Sequence, residues 1–337
     1  MIVNVVELLD LPDLEDDLAR LESRLANAVR AGDPFLDTVT THLISAGGKR
    51  LRPALTLAVA TASRLGGTAS ATGGSRGASD DILQGAVAVE LVHLASLYHD
   101  DVMDEATMRR SVESVNARWG NLIAIVAGDY LLARSAELAA ELGAEIAGLL
   151  AATLGRLCQG QIEEVRTAFD PTRSEDAYMA TIAGKTASLM STACRIGALT
   201  AGLPGPEVDA LTKFGELFGM AFQVRDDILD LVADEAQLGK PSGQDIAEGI
   251  YTLPVLRALA EPDIAAELRP LLGQPLGEPE RDKARDLVKG SAAVAASVGV
   301  LGSFANEAIE VARAIPEPKL SAGLARVATW LADSVTG

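Results

Sequence analysis

Two copies of one acidic pattern, each closing a long apolar run, constrain this chain more than any other feature. The first is Asp100-Asp101-Val102-Met103-Asp104 and the second is Asp226-Asp227-Ile228-Leu229-Asp230. The runs before them have helical spacing, so Asp100 and Asp104 share one helix face, as do Asp226 and Asp230. Like charges at that spacing destabilise a helix by roughly 0.2–0.5 kcal/mol per pair. Carboxylates near a helix C-terminus also oppose the macrodipole. A fold that keeps both clusters has to neutralise them. All-oxygen donors of high charge suit magnesium or calcium. Magnesium keeps its waters and typically takes one or two carboxylates plus substrate phosphates, so two facing clusters would clamp a diphosphate through metal ions.

Hydrophobic residues make up 48% of the 337 positions and aromatic residues only 4%, so the core has to be built from Ala, Leu, Val and Ile. That profile favours helices over sheets. The net charge of −18 argues against a nucleic-acid partner, which needs a basic face, and against electrostatic docking to an anionic membrane. Cys158 and Cys194 lie in apolar helical stretches and read as buried, reduced thiols of a cytoplasmic protein. The N-terminus lacks the basic segment of a signal peptide. No apolar run reaches transmembrane length without a charge, and the nearest, Ser291 to Ala305, reads as a core helix.

Helical periodicity dominates, and no run of alternating strand residues stands out. The pattern predicts a helix from Leu8 to Ala31, a second to about Ala46, and a third with Pro53 in its first turn. Residues 66–79 are rich in Gly, Ser, Thr and Ala and read as a flexible loop. Asp81 to Asp101 and Pro206 to Leu231 are the helices that carry the acidic motifs, with Ala124 to Glu141 and Ala144 to Val165 between them. Ser174 starts another helix with Ala177 three residues on, a partial cap. Lys185 to Ala201 follows, closed by Gly202, and Asp234 to Ile250 reads as a polar loop. No composition shift marks a boundary, so the chain is expected to form one domain.

Other residues point toward anions. Gly47-Gly48-Lys49-Arg50-Leu51-Arg52-Pro53 packs three cations beside a glycine turn, where backbone and side chains approach phosphate closely. Arg109-Arg110 follows the first acidic motif. Lys185-Thr186 opens an apolar helix, where a helix N-terminus and an ammonium together favour an anion. Two of the three histidines, His93 and His99, flank the first motif, and His93 lies two helical turns before Asp100 on the same face. Gln223 precedes Asp227 by four residues; its amide is either satisfied by hydrogen bonds or aimed at a developing positive charge.

Taken in order, these residues resemble the trans-isoprenyl diphosphate synthases, also called polyprenyl synthetases. The resemblance spans roughly residues 40 to 260: Gly47 to Pro53, Glu90-Leu91-Val92-His93, His99 to Asp104 with Arg109-Arg110, Gly128-Asp129-Tyr130-Leu131, Gly184-Lys185-Thr186, Phe222 to Asp230, Gly239-Lys240-Pro241, Gly243-Gln244-Asp245 and Thr252-Leu253-Pro254. It implies an all-α helical bundle of isoprenoid synthase type around a deep central cavity, usually a homodimer. It implies a magnesium-dependent, head-to-tail condensation of an allylic diphosphate with isopentenyl diphosphate. By matched position, Asp100 and Asp104 are expected to bind two magnesium ions and Asp226 a third, with Asp101, Asp227 and Asp230 supporting. Arg109, Lys185, Thr186, Gln223 and Lys240 are expected at the allylic substrate, and Lys49, Arg52, His93 and Arg110 at isopentenyl diphosphate. A peripheral membrane contact would serve product release. One departure stands out: the family often has Gly-Lys before Thr-Leu-Pro, where this chain has Gly249-Ile250.

Product length follows from shape. The tail is expected to grow down the helix before Asp100, past Ser96 and Ala95, both small, and then Val92, Val89 and Ala88. An aromatic floor is common in short-chain members and is absent from these positions. The expectation is a product of about thirty to fifty carbons, drawn along several helical turns. Leu122, Ile123 or Val126 on the next helix are the places where a floor could still arise, giving a geranylgeranyl diphosphate synthase. A terpene cyclase would have no use for the Lys49, Arg52, His93 and Arg110 set, and a non-catalytic subunit of a heteromeric synthase should lack one acidic cluster.

Overall fold

Ala- and Leu-rich segments become helices here, several of them started by a side-chain cap or a proline. The computed structural model describes residues 5–65, 77–233 and 241–335. Its helices are α1 (Val5–Leu9), α2 (Leu14–Ala28), α3 (Pro34–Ser45), α4 (Leu51–Leu65), α5 (Asp80–Met103), α6 (Val115–Trp119), α7 (Asn121–Glu141), α8 (Ala144–Arg166) and α9 (Glu175–Ile182). A π-helical turn (Ala183–Ala187) leads into α10 (Ser188–Thr200), followed by α11 (Gly205–Val232), α12 (Gln244–Ala247), α13 (Leu253–Ala258), α14 (Pro262–Leu268), α15 (Glu278–Lys289), α16 (Ala293–Arg313) and α17 (Pro318–Asp333).

Helix α5 is the centre of the bundle. From Ile82 to Ala95 every residue except Gln84 and His93 is buried, as a helix apolar on all faces requires. The Ser79 hydroxyl caps its start by accepting from the Ile82 N–H at 3.4 Å. α5 packs against α2, α4, α7 and α10, and α11 packs on the far side against α10, α16 and the π-turn. Both acidic helices therefore lean on α10, and both carry their carboxylates in their last turns.

Several local expectations need correction. The helix predicted from Leu8 to Ala31 is two helices, because Pro12 cannot continue the first and Asp13 takes a positive φ of 63° before Leu14. The Ser174 cap is the partial one expected: its hydroxyl accepts from the Ala177 N–H at 3.1 Å, and alanine cannot reciprocate. Two-residue strands β1 (Met108–Arg109) and β2 (Val112–Glu113) pair antiparallel around Arg110 and Ser111, whose φ values of 52° and 63° suit a tight hairpin turn. Cys194 is buried, but Cys158 is exposed on α8. α5 and α16 are both long and apolar enough to cross a membrane; α5 is mostly buried, whereas α16 buries only one stripe, through Ala293, Ser297, Leu301, Ala305, Ala308 and Ala312. The loop expected at 66–79 lies outside the described residues apart from 77–79, and the loop from 234 to 250 contains α12.

Candidate active site

The first acidic motif ends α5. Asp104 is the C-cap residue, its N–H donating to the Asp100 carbonyl at 2.8 Å. Asp100 is half-buried and Asp104 exposed, while Asp101 is fully buried. The hairpin that follows turns Arg109 back onto Asp101, with Nε and Nη2 each 2.6 Å from Oδ1. Arg109, expected at the allylic substrate, is thus engaged by the motif itself. Burial pushes the Asp100 carboxyl up to about 6; Lys185 opposes the rise and Asp104 adds to it. Asp104 is raised by burial, opposed by Lys185, with Glu248 and Glu164 adding to the rise.

Lys185 belongs to the π-turn inside a continuous helical stretch, so the helix N-terminus expected there does not exist. Gly184 and Gly160 make the turn possible: a Cβ on Gly184 would lie 2.8 Å from the Arg156 carbonyl, and one on Gly160 would lie 2.8 Å from the Lys185 nitrogen. A π-turn widens the helix and is frequent at functional sites. Lys185 Nζ donates to Glu164 at 2.5 Å. Burial works against its charge, but Glu164, Asp100 and Asp104 outweigh it and hold the ammonium pKa above normal.

The second motif faces inward. Asp227 is buried and accepts from the Tyr178 hydroxyl at 2.5 Å and from the Gln223 amide at 2.8 Å. The Gln223 oxygen accepts from the Thr186 hydroxyl at 2.7 Å, so the amide is satisfied inside the protein. Burial, reinforced by the Asp245 charge, pushes Asp227 up to about 8 despite those hydrogen bonds. Asp230 is also buried, its Oδ2 accepting from the Asp245 N–H at 3.4 Å. Asp226 stays half-buried and accepts from Arg225 at 3.0 Å. Lys185, Thr186, Gln223 and Asp227 line a cavity of about 170 Å³, together with Glu164, Arg173, Tyr178, Asp245 and Ile250. Lys240 lies outside the described residues.

Among the described residues no three His, Cys, Asp or Glu side chains form a ready cation cage. The donors nevertheless fit a hard cation that arrives with phosphate: they are oxygens, and Lys185 and Arg109 do not offset the effect of burial on the Asp100 and Asp104 carboxyls.

The basic loop divides into two roles. Arg50 is buried, bonded to Glu22 at 2.5 Å, Glu90 at 2.9 Å and the Ile44 carbonyl at 3.2 Å, so it holds helices together. Arg52 is half-buried, and its Nε is buried with no hydrogen-bond partner among the described residues. Lys49 is exposed. Arg110 donates to the Leu43 and Gly47 carbonyls, tying the hairpin to the glycine turn. Burial and then the charges of Arg52 and Arg110 keep His93 well below its usual pKa, so it is neutral. Arg52, His93 and Arg110 therefore share one electropositive neighbourhood.

On the chain-length face, Val92, Val89 and Ala88 pack with Leu189, Ala193 and Ile196 of α10 and with Ile146, Leu150 and Leu157 of α8. That cluster contains no aromatic ring. Ser96 is half-buried and bonds the His93 carbonyl at 2.8 Å, whereas Ala95 belongs to the main core. Leu122 and Val126 are 73% and 54% exposed, so neither forms a floor within the chain. The sequence reading missed Glu164, Arg173 and Tyr178, which reach the site through tertiary packing alone; the Ser174 cap was the nearest local signal.

Comparison with known proteins agrees with this fold. The polyprenyl synthetase family profile matches residues 33–288. The chain is 38% identical over 303 residues to nonaprenyl diphosphate synthase of Mycobacterium tuberculosis, covering 89% of this chain and 87% of that protein. A polyprenyl synthase from Caulobacter crescentus, solved with calcium and isoprenyl diphosphate, superposes with a TM-score of 0.86 at 30% identity over 98% of this chain and 96% of that one. A geranylgeranyl pyrophosphate synthase from Corynebacterium glutamicum, also solved with calcium and isoprenyl diphosphate, superposes with a TM-score of 0.81 at 35% identity over 96% of each chain. One fold thus serves both product classes, and product length has to be argued from the cavity lining.

Proposed function

The chain belongs to the polyprenyl synthetase family, and we propose that it elongates an allylic diphosphate with isopentenyl diphosphate to a long-chain trans-polyprenyl diphosphate. It is a prenyltransferase with the all-α isoprenoid synthase fold. The observation that carries the reading is the position of Lys185. It lines the same cavity as Gln223 and Asp227 while its charge acts on Asp100 and Asp104, so one ammonium links both acidic motifs.

The roles follow from the neighbours. Lys185 and Thr186 bind and orient the allylic diphosphate, and Asp100, Asp104 and Asp226 would hold magnesium ions, about three by resemblance to the family. Bound magnesium supplies charge neutralisation for the departing diphosphate. The allylic C–O bond breaks with its electron pair leaving on the diphosphate. Lys49, Arg52, Arg110 and neutral His93 hold isopentenyl diphosphate so that its double bond attacks the allylic carbon and forms the new C–C bond. The proton lost from the isopentenyl unit passes to the released diphosphate. Apolar walls keep water from the cation. Asp101, Asp227 and Asp230 act as positioning residues. The aliphatic cluster around Val92, Val89 and Leu157, with no aromatic floor, supports a product of thirty carbons or more. A cytoplasmic homodimer completes the proposal.

The test is diphosphate release with isopentenyl diphosphate and each of four allylic primers, from dimethylallyl to geranylgeranyl, with and without magnesium. Cation-dependent release with at least one primer is expected; none with any primer would contradict the reaction class.

A further inference from the structure

The cavity has a second cation that the established motifs do not use. Arg173 is 7% exposed and lines the same cavity as Ile250. Its Nη2 donates to the Thr181 hydroxyl at 2.6 Å, and its guanidinium lies 5.8 Å over the Tyr178 ring. Its Nε is buried and has no hydrogen-bond partner among the described residues. No carboxylate among the described residues lies within ion-pair distance of it, although Lys185, the other cation among the described lining residues, is paired with Glu164. A guanidinium that is nine-tenths buried, with an unfilled donor and only the more distant charges of Glu164, Glu163 and Asp227 to offset its burial, has room for an anion to complete it.

The loop that carries Arg173 is built to hold it there. Asp170 closes a turn by accepting from the Thr172 N–H at 2.8 Å and the Thr172 hydroxyl at 2.6 Å. The Phe169 N–H donates to the Gly249 carbonyl at 2.9 Å, and a Cβ on Gly249, whose φ is +77°, would meet the Phe169 ring at 2.3 Å. This seam locks the Arg173 loop to the loop that presents Ile250, so the two residues face one space. Tyr178, over which Arg173 lies, is also the residue that holds Asp227.

We propose that Arg173 is a diphosphate-binding residue of this cavity, its guanidinium holding the allylic diphosphate together with Lys185. The inference rests on the reading of the cavity as the allylic diphosphate site. It makes Arg173, rather than a cation at position 250, the partner of Lys185 in this chain.

The test compares wild type with Arg173→Met and with Arg173→Met/Ile250→Lys. Losing one charge-assisted contact is expected to raise the KM for the allylic primer roughly 10- to 100-fold, with the KM for isopentenyl diphosphate nearly unchanged. The double variant, which returns a cation to the same cavity from the neighbouring loop, is expected to recover at least part of that loss. An unchanged allylic KM in Arg173→Met, or equal rises in both KM values, would overturn the proposal. Calorimetric titration with inorganic diphosphate and magnesium gives a readout free of turnover: weaker binding by Arg173→Met supports the proposal and equal binding overturns it. Should that variant not fold, Arg173→Lys is titrated instead, and binding as tight as wild type overturns the need for the guanidinium. Absence of turnover in the wild type with every primer is a separate result, which removes the functional reading itself.

Discussion

The two acidic motifs share one sequence pattern and end in different surroundings. In both, the second aspartate is buried and used internally: Asp101 grips Arg109, and Asp227 gathers Tyr178 and Gln223. In both, the first aspartate is half-buried. The third separates them. Asp104 caps α5 and is exposed, because the chain leaves the helix there for the hairpin. Asp230 is still inside α11, and the returning chain covers it, with Ser242 and Gly243 bonding its carbonyl at 2.8 and 2.7 Å. The first motif thus offers two outward carboxylates and the second offers one. An i, i+4 rule gives equal faces to both, and only the path of the following chain makes them unequal.

The largest effect should come from the first positions. Asp100→Ala and Asp226→Ala are each expected to lower kcat/KM on the order of a thousandfold while leaving far-UV helicity intact, since charge compensation at the leaving group is lost. Near-normal turnover in both would break the assignment of the motifs to diphosphate. The third positions sharpen the contrast. Asp104→Asn is expected to raise the magnesium concentration needed for half-maximal rate roughly tenfold or more, as loss of an outward ligand would. Asp230→Asn is expected to lower Tm by roughly 2–6 °C with the magnesium requirement little changed. Equal magnesium shifts in the two variants would erase the distinction.

Further from the charges, Ser96→Phe should place a ring one helical turn from Val92 of the aliphatic cluster and shorten the product, measured by chromatography of the dephosphorylated alcohols. Product length identical to wild type would show that the tail does not pass that face.

The smallest effect is on pH dependence. Raised carboxyl pKa values stabilise the fold below the unfolded value, and that stability is lost as pH rises through the folded values, about 6 for Asp100 and about 8 for Asp227. With chelator present, Tm is expected to decline between pH 5 and pH 8.5. Magnesium with inorganic diphosphate should restore more of it at pH 8 than at pH 5.5, because the cation binds the ionised form. A Tm gain larger at pH 5.5 would contradict the carboxylate origin.

Much of this architecture could be read before any coordinates. The apolar spacing before Asp100 and Asp226 located α5 and α11 within a residue or two, since a buried helix and its polar terminus leave strong local marks. The π-turn at Ala183–Ala187 left no such mark, because it arises from the close approach of Gly160 and Gly184 on neighbouring segments. Arg50 looked like part of the phosphate loop and proved to be a buried strut, a role set by Glu22 and Glu90 from two other helices. Tyr178 was invisible for the same reason: its partner Asp227 is far away in sequence and close only in the fold.

Product size after incubation with isopentenyl diphosphate, magnesium and each allylic primer tests the central claim most directly. A ladder that ends at thirty carbons or more is predicted by the ring-free aliphatic cluster below Ser96. A clean stop at fifteen or twenty carbons would contradict it and place a floor where the structure shows none among its described residues.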